Sequence, residues 1–222
     1  NSNNESVSGR WYFSLRGPSG TSYYLTSFAP ATASAIASGQ LANANLSSAN
    51  LSNVNLVSAD LSSANLTSTN LSGASLTSAN LTGATLTSAN LTNANLSGST
   101  LSRANLSGAT LTGATLSNAN LKSAKLKNAV LTRANLNGAV LKKAVLSKAK
   151  LSGAKLVKAE LKRAVLTKAK LIGANLKKAD LGSAKLKKAN LASAELKRAN
   201  LSKADLNGAF LKDANLKSAK LK

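Results

Sequence analysis

From Leu41 to Leu221 a leucine recurs at every fifth position, 37 times without exception, and Ile36 continues the register one step upstream. Two residues before each leucine, from Ala44 onward, stands an alanine, replaced only by Val54, Thr69 and Ser99. The other three positions of each unit are mostly Ser, Thr, Asn, Gly or Lys. Neither ordinary period uses this pattern. On a helix a five-residue step turns by about 500°, equivalent to about 140°, and scatters the leucines around the cylinder. On a straight strand an odd step sends alternate leucines to opposite faces. Ala and Leu within one unit, however, are two apart and share one face of a short extended stretch. A chain that turns a corner after every such stretch points all the pairs at a common axis. The pattern therefore predicts a β-solenoid with one short side per five residues and a bore filled by alternating small and large side chains. It also argues against a disordered low-complexity chain, because a chain without a core has no use for a leucine register.

The stretch "ADLSSANLTSTNLSGASL" repeats the pattern A-(D/N)-L-X-X, and over Leu41 to Lys222, 182 of the 222 residues, the chain resembles the pentapeptide-repeat proteins. The resemblance implies an all-β, right-handed quadrilateral β-helix with four pentapeptides, 20 residues, per coil. Alanine and leucine then face inward and the other three positions outward. The repeat would make about nine coils, and at a rung spacing of about 4.8 Å a rod about 43 Å long.

Residues 1–35 do not repeat. They hold Trp11, Tyr12, Phe13, Tyr23, Tyr24 and Phe28, six of the seven aromatic residues. "RWYFSLRGPSGTSYYLTSF" reads as two strands around a Gly-Pro-Ser-Gly turn. This segment is expected either to cap the open edge of the first coil or to anchor another subunit through its aromatic side chains. Residues 36–222 form the repeat region, which changes dress part-way. Residues 36–120 carry Ser, Thr, Asn and Gly outside; residues 121–222 carry lysine.

Charge divides the chain in the same way. Residues 1–102 are neutral, whereas residues 103–222 hold 27 basic and 5 acidic side chains and so carry the whole net charge of +22. With 20 residues per coil, lysines stack in columns: Lys122, Lys142 and Lys162; Lys148, Lys168 and Lys188; Lys158, Lys178 and Arg198. The charges stacked within each column repel one another, and the columns are candidates for binding a polyanion. A solvated face that keeps the rod soluble would look the same. The side that bears Leu51, Leu71 and Leu91 has a column of small, uncharged residues running from Ser52 to Ala192, and is the side expected to pack laterally.

Histidine, cysteine and methionine are absent. That removes disulfides, thiolate nucleophiles and imidazole bases or ligands. No nucleophile–base set, phosphate loop or cofactor motif occurs, and a solid Ala/Leu bore leaves no cavity for a small-molecule substrate. No catalytic, cofactor-binding or metal residue is assigned, and an enzyme is not expected. No apolar run approaches the roughly 18 residues of a membrane span. A chain that begins at Asn1 without methionine implies removal of a leader, so a secreted or cell-surface location is expected.

The best-known activity of the resembled family is protection of DNA gyrase by acidic rods that mimic DNA. A net charge of +22 argues against that role. Two functions remain. One is a non-enzymatic exported structural protein that assembles with itself end to end, its aromatic segment meeting the uncapped coil at "ANLKSAKLK". The other is a module that grips DNA, acidic polysaccharide or anionic lipid through the lysine half. The first is the expectation carried forward.

Overall fold

The computed structural model describes residues 13–16, 22–25 and 41–222. Two short strands, β1 (Phe13–Arg16) and β2 (Ser22–Leu25), pair antiparallel with Phe13 opposite Leu25 and Arg16 opposite Ser22. These are the two strands expected around the Gly-Pro-Ser-Gly stretch. The capping or assembly role of the segment lies outside the described residues, as do Trp11, Tyr12 and Phe28.

From Leu41 onward one local structure repeats. The N–H of Ala44 donates to the carbonyl of Leu41 at 3.1 Å, and the equivalent bond closes every unit as far as Ala219 to Leu216 at 2.8 Å. The second turn residue always has positive φ: 60° at Asn43, 66° at Gly73, 60° at Lys148. An i to i+3 bond with positive φ at the third position is the signature of a type II turn. The turn explains an exclusion in the sequence. Thr, Val and Ile occur one residue after the leucine, as in Thr92, Val157 and Ile172, but never two residues after it. A β-branched side chain is poorly tolerated at positive φ.

Between turns the chain is extended for only three residues, and one of them makes a bridge. Parallel bridges join residues 20 apart, from Asn45 with Asn65 to Asn200 with Lys220. Three backbone bonds per unit hold successive rungs: Asn65 N–H to Ala44 carbonyl at 2.9 Å, Leu46 N–H to Asn65 carbonyl at 2.8 Å, and Ser48 N–H to Thr67 carbonyl at 2.8 Å. Each side is thus too short to count as a continuous strand, yet its backbone groups are paired along the rod.

The expected bore is present. Leucine and alanine are fully buried from Leu56 to Leu166, apart from the two positions where alanine is replaced by a polar residue. At those positions Thr69 and Ser99 turn their hydroxyls onto the carbonyls of Leu46 and Leu96, both at 2.7 Å, and among the described residues no buried side-chain polar atom is left unpaired. Each buried leucine contributes about 1.5–3 kcal/mol through loss of apolar surface from water. In the last coil, Leu206, Leu211 and Leu216 are only half-buried and donate no backbone bond to any described residue.

Candidate cationic surface

Each rung presents outward one bridge residue per side, just before the leucine, and two turn residues per corner, just after it. The bridge position is preferentially Asn or Asp for a local reason. Its side-chain oxygen accepts the N–H of the first turn residue, as in Asp60 to Ser62 at 3.0 Å and Asn65 to Thr67 at 3.1 Å. Where these residues stack they also bond between rungs: Asn70 Nδ2 donates to Asn50 Oδ1 at 3.0 Å, and Asn80 Nδ2 to Asp60 Oδ1 at 3.0 Å. This role is not evident from composition, although the recurrence of Asn and Asp immediately before leucine is its trace.

The acidic residues of the lysine half divide by the same logic. Asp180 accepts the Gly182 N–H at 2.9 Å and Asn200 Nδ2 at 2.8 Å, and Asp205 accepts the Asn207 N–H at 3.0 Å. These carboxylates cap turns. Glu160 forms an ion pair with Lys142, and Glu195 lies 3.7 Å from Lys177. The hydrogen bond from Lys142 to Glu160, and then the opposing charge, raises the pKa of Lys142 above the ordinary lysine value. Among the described residues these are the only two ion pairs, against 27 basic side chains in residues 103–222.

The fold places the expected lysine columns on particular corners. Lys142 and Lys143 form one corner, Val145 is the next bridge residue, and Ser147 and Lys148 form the following corner. The column of Lys122, Lys142 and Lys162 and the column of Lys148, Lys168 and Lys188 therefore stand on the two edges of a single face. All six are exposed. Lys158, Lys178 and Arg198 lie on a different corner, separated from the first column by the face that carries Glu160 and Asp180. The side expected to be flat and uncharged also differs from expectation. Its corner is small and uncharged from Ser152 to Ser193, but its bridge column carries Lys150 and Lys170, and Ile172 protrudes with 41% exposure. The neutral strip is a corner and not a whole side.

Where the lysine half begins, an open depression of about 360 Å³ is lined by Ser102, Arg103, Asn120, Lys122 and Ser123. Its lining holds no carboxylate. No cluster of acidic, histidine or cysteine residues able to hold a metal occurs among the described residues, nor does a helix long and apolar enough to cross a membrane.

The family model described as Pentapeptide repeats matches in eight copies, over residues 40–77, 79–118, 116–153, 144–182 and 184–222. Solved structures similar to the chain include HetL, involved in heterocyst differentiation regulation in the cyanobacterium Nostoc sp. strain PCC 7120. It is 38% identical, with 80% of this chain and 87% of that chain covered and a TM-score of 0.49. Rfr23 of the cyanobacterium Cyanothece 51142 is 40% identical, with 42% and 64% covered and a TM-score of 0.41. QnrB1, a plasmid-mediated fluoroquinolone resistance protein, is 19% identical, with 72% and 82% covered and a TM-score of 0.43. No curated protein sequence matches.

Proposed function

Since the chain belongs to the pentapeptide-repeat family, whose β-helices generally serve as structural and interaction modules, we propose that it is a non-enzymatic rod of about nine coils that binds polyanions through its lysine half. The observation that carries this reading is where the cations sit. Of the twenty positive-φ corners from Ser123 to Ser218, ten carry Lys or Arg. The same corners from Asn43 to Asn118 carry Ser, Asn or Gly, with Arg103 the one exception. Asn and Gly tolerate that conformation better, so cationic side chains are kept there at a conformational cost. The two ion pairs engage Lys142 and Lys177 at the first turn position and none of these corner cations, and a net charge of +22 opposes any mimicry of DNA.

The test is fluorescence anisotropy with labelled DNA and a labelled acidic polysaccharide, beside neutral dextran, at about 50 and about 200 mM salt. Binding of the charged polymers but not dextran, and weaker binding at the higher salt, is expected. Absence of any charged-polymer binding at low salt would overturn the reading.

Export and end-to-end self-assembly form a second reading. The six aromatic residues among residues 1–35 favour it, since aromatic side chains anchor contacts between subunits. Fibres in negative-stain micrographs, lost when residues 1–35 are removed, would support it. Short isolated rods under all conditions would exclude it.

A further inference from the structure

Four faces run along the lysine half, and they differ. One carries the carboxylates Glu160 and Asp180 as bridge partners. Two others border the uncharged corner that runs from Ser152 to Ser193. The fourth has cations on both edges. Its bridge column reads Lys125, Val145, Val165, Lys185, each paired with the next. One rim holds Lys143, Lys162 and Arg163; the other holds Lys148, Lys168 and Lys188. No carboxylate projects from this face across those four rungs, and Asp205 is the first to appear beyond them.

Resting on the polyanion-binding reading, we infer that this face is the contact surface and that its partner is double-helical nucleic acid, held by its two phosphate rows. The distribution of charge across the face points to that partner. Val145 and Val165 are half-buried along the midline, so the centre of the two middle rungs carries no charge, and the midline lysines Lys125 and Lys185 stand only on the rungs at either end. The cations stand on two parallel rims separated by three to four extended residues, roughly 10–13 Å. A single-chain polyanion places its charges on one line and would be served by cations along the midline. A duplex places its charges on two lines flanking a groove about 6 Å or about 12 Å wide, and leaves the space between them free of phosphate. Within each rim the cations follow the rung spacing of about 4.8 Å, so several contact successive phosphates.

Two further features agree. Stacking with single-stranded bases relies on aromatic side chains. The face has none, and the one aromatic among residues 41–222, Phe210, lies in another bridge column. The rims are lysine apart from Arg163, and lysine neutralises phosphate as a point charge without the bidentate geometry that reads bases. Binding is therefore indifferent to sequence.

The experiment compares two triple variants of the full chain with equal loss of charge. Lys148→Gln/Lys168→Gln/Lys188→Gln empties one rim; Lys158→Gln/Lys178→Gln/Arg198→Gln empties the distant corner. Affinity for a short mixed-sequence duplex is measured by anisotropy across about 50–200 mM salt, with circular dichroism to establish that both variants fold. The rim variant should lower the slope of log K against log salt by about 3 and weaken binding at least about tenfold more than the distant variant. The duplex should bind more tightly than a single strand, an acidic polysaccharide or vesicles of acidic phospholipid. Equal effects of the two variants would overturn this face as the contact while leaving polyanion binding in place. Tighter binding of any of the three competitors would overturn the duplex assignment. Absence of binding to every polyanion would remove the functional reading itself.

Discussion

The neutral repeats before residue 121 and the lysine repeats after it share one backbone and one core. Leu86 and Leu166 are equally buried, the turn bonds to their carbonyls are 3.1 and 2.9 Å, and both halves keep the 20-residue bridge register. Apart from Val54, Thr69 and Ser99 at the inward alanine position of the neutral half, only the outward positions differ. In the neutral half the stacked side chains attract: Asn65 donates to Asn45, and Asn90 to Asn70, both at 3.2 Å. In the lysine half the same stacking sets like charges on successive rungs. The inward pair therefore carries the fold, and the outward triplets can be exchanged from cohesive to mutually repelling without altering it. That freedom allows a charged surface to be written on half of a continuous rod.

The largest test of this comparison concerns the shared core. Leu86→Ala and Leu166→Ala should each destabilise by about 2–5 kcal/mol, and by similar amounts, when denaturant unfolding is followed by hydrogen exchange in each half. A markedly smaller loss for Leu166→Ala would mean that the cores are not equivalent. The corners should show the next largest effect. Lys168→Val should cost about 1–2 kcal/mol at its φ of 59°, and Lys168→Asn should be neutral or stabilising. Thermal melts of the two variants should therefore shift in different directions from one another, and equal shifts would count against the turn assignment.

Salt should separate the halves more gently. Adjacent aligned lysines repel by no more than about 1 kcal/mol in water, and raising ionic strength to about 0.15 M shortens the screening length to about 8 Å. Amide protection in residues 121–222 should rise with salt while that in residues 41–120 stays level. A uniform response would locate the salt effect elsewhere than in the lysine columns. The smallest effect belongs to the Lys142–Glu160 pair. Because the pKa of Lys142 is raised on folding, the pair's contribution is complete below the unfolded-state value near 10.5 and fades as pH climbs through the higher folded value. In an NMR titration Lys142 should lose its proton later than an ordinary lysine, and Glu160→Gln should remove the delay.

Much of the architecture is legible in the sequence because its cause is periodic. A leucine every five residues rules out straight elements, and the alanine two residues earlier identifies the second inward position. The conformation of the corners was also written there, in the absence of β-branched residues two positions after leucine, but it becomes meaningful only once the turn is seen. The surface was harder to read. Columns of lysine follow from the 20-residue coil, yet whether two columns share a face depends on which outward positions are corners and which are bridges. Lys148 and Lys158 look equivalent in the sequence; the fold sets Lys148 across a face from Lys143, and puts Lys158 beyond Glu160. The roles of Asp180 and Asp205 as turn caps likewise depend on hydrogen bonds that spacing cannot reveal.

The central claim, that the lysine half is a polyanion-binding surface, is tested most directly by lysine footprinting. The intact protein is acetylated at low salt, with and without duplex DNA, and modification is quantified by mass spectrometry. The account predicts protection of Lys143, Lys148, Lys162, Lys168 and Lys188, with Lys158 and Lys178 reacting as in the free protein. Unchanged reactivity at every lysine would contradict it.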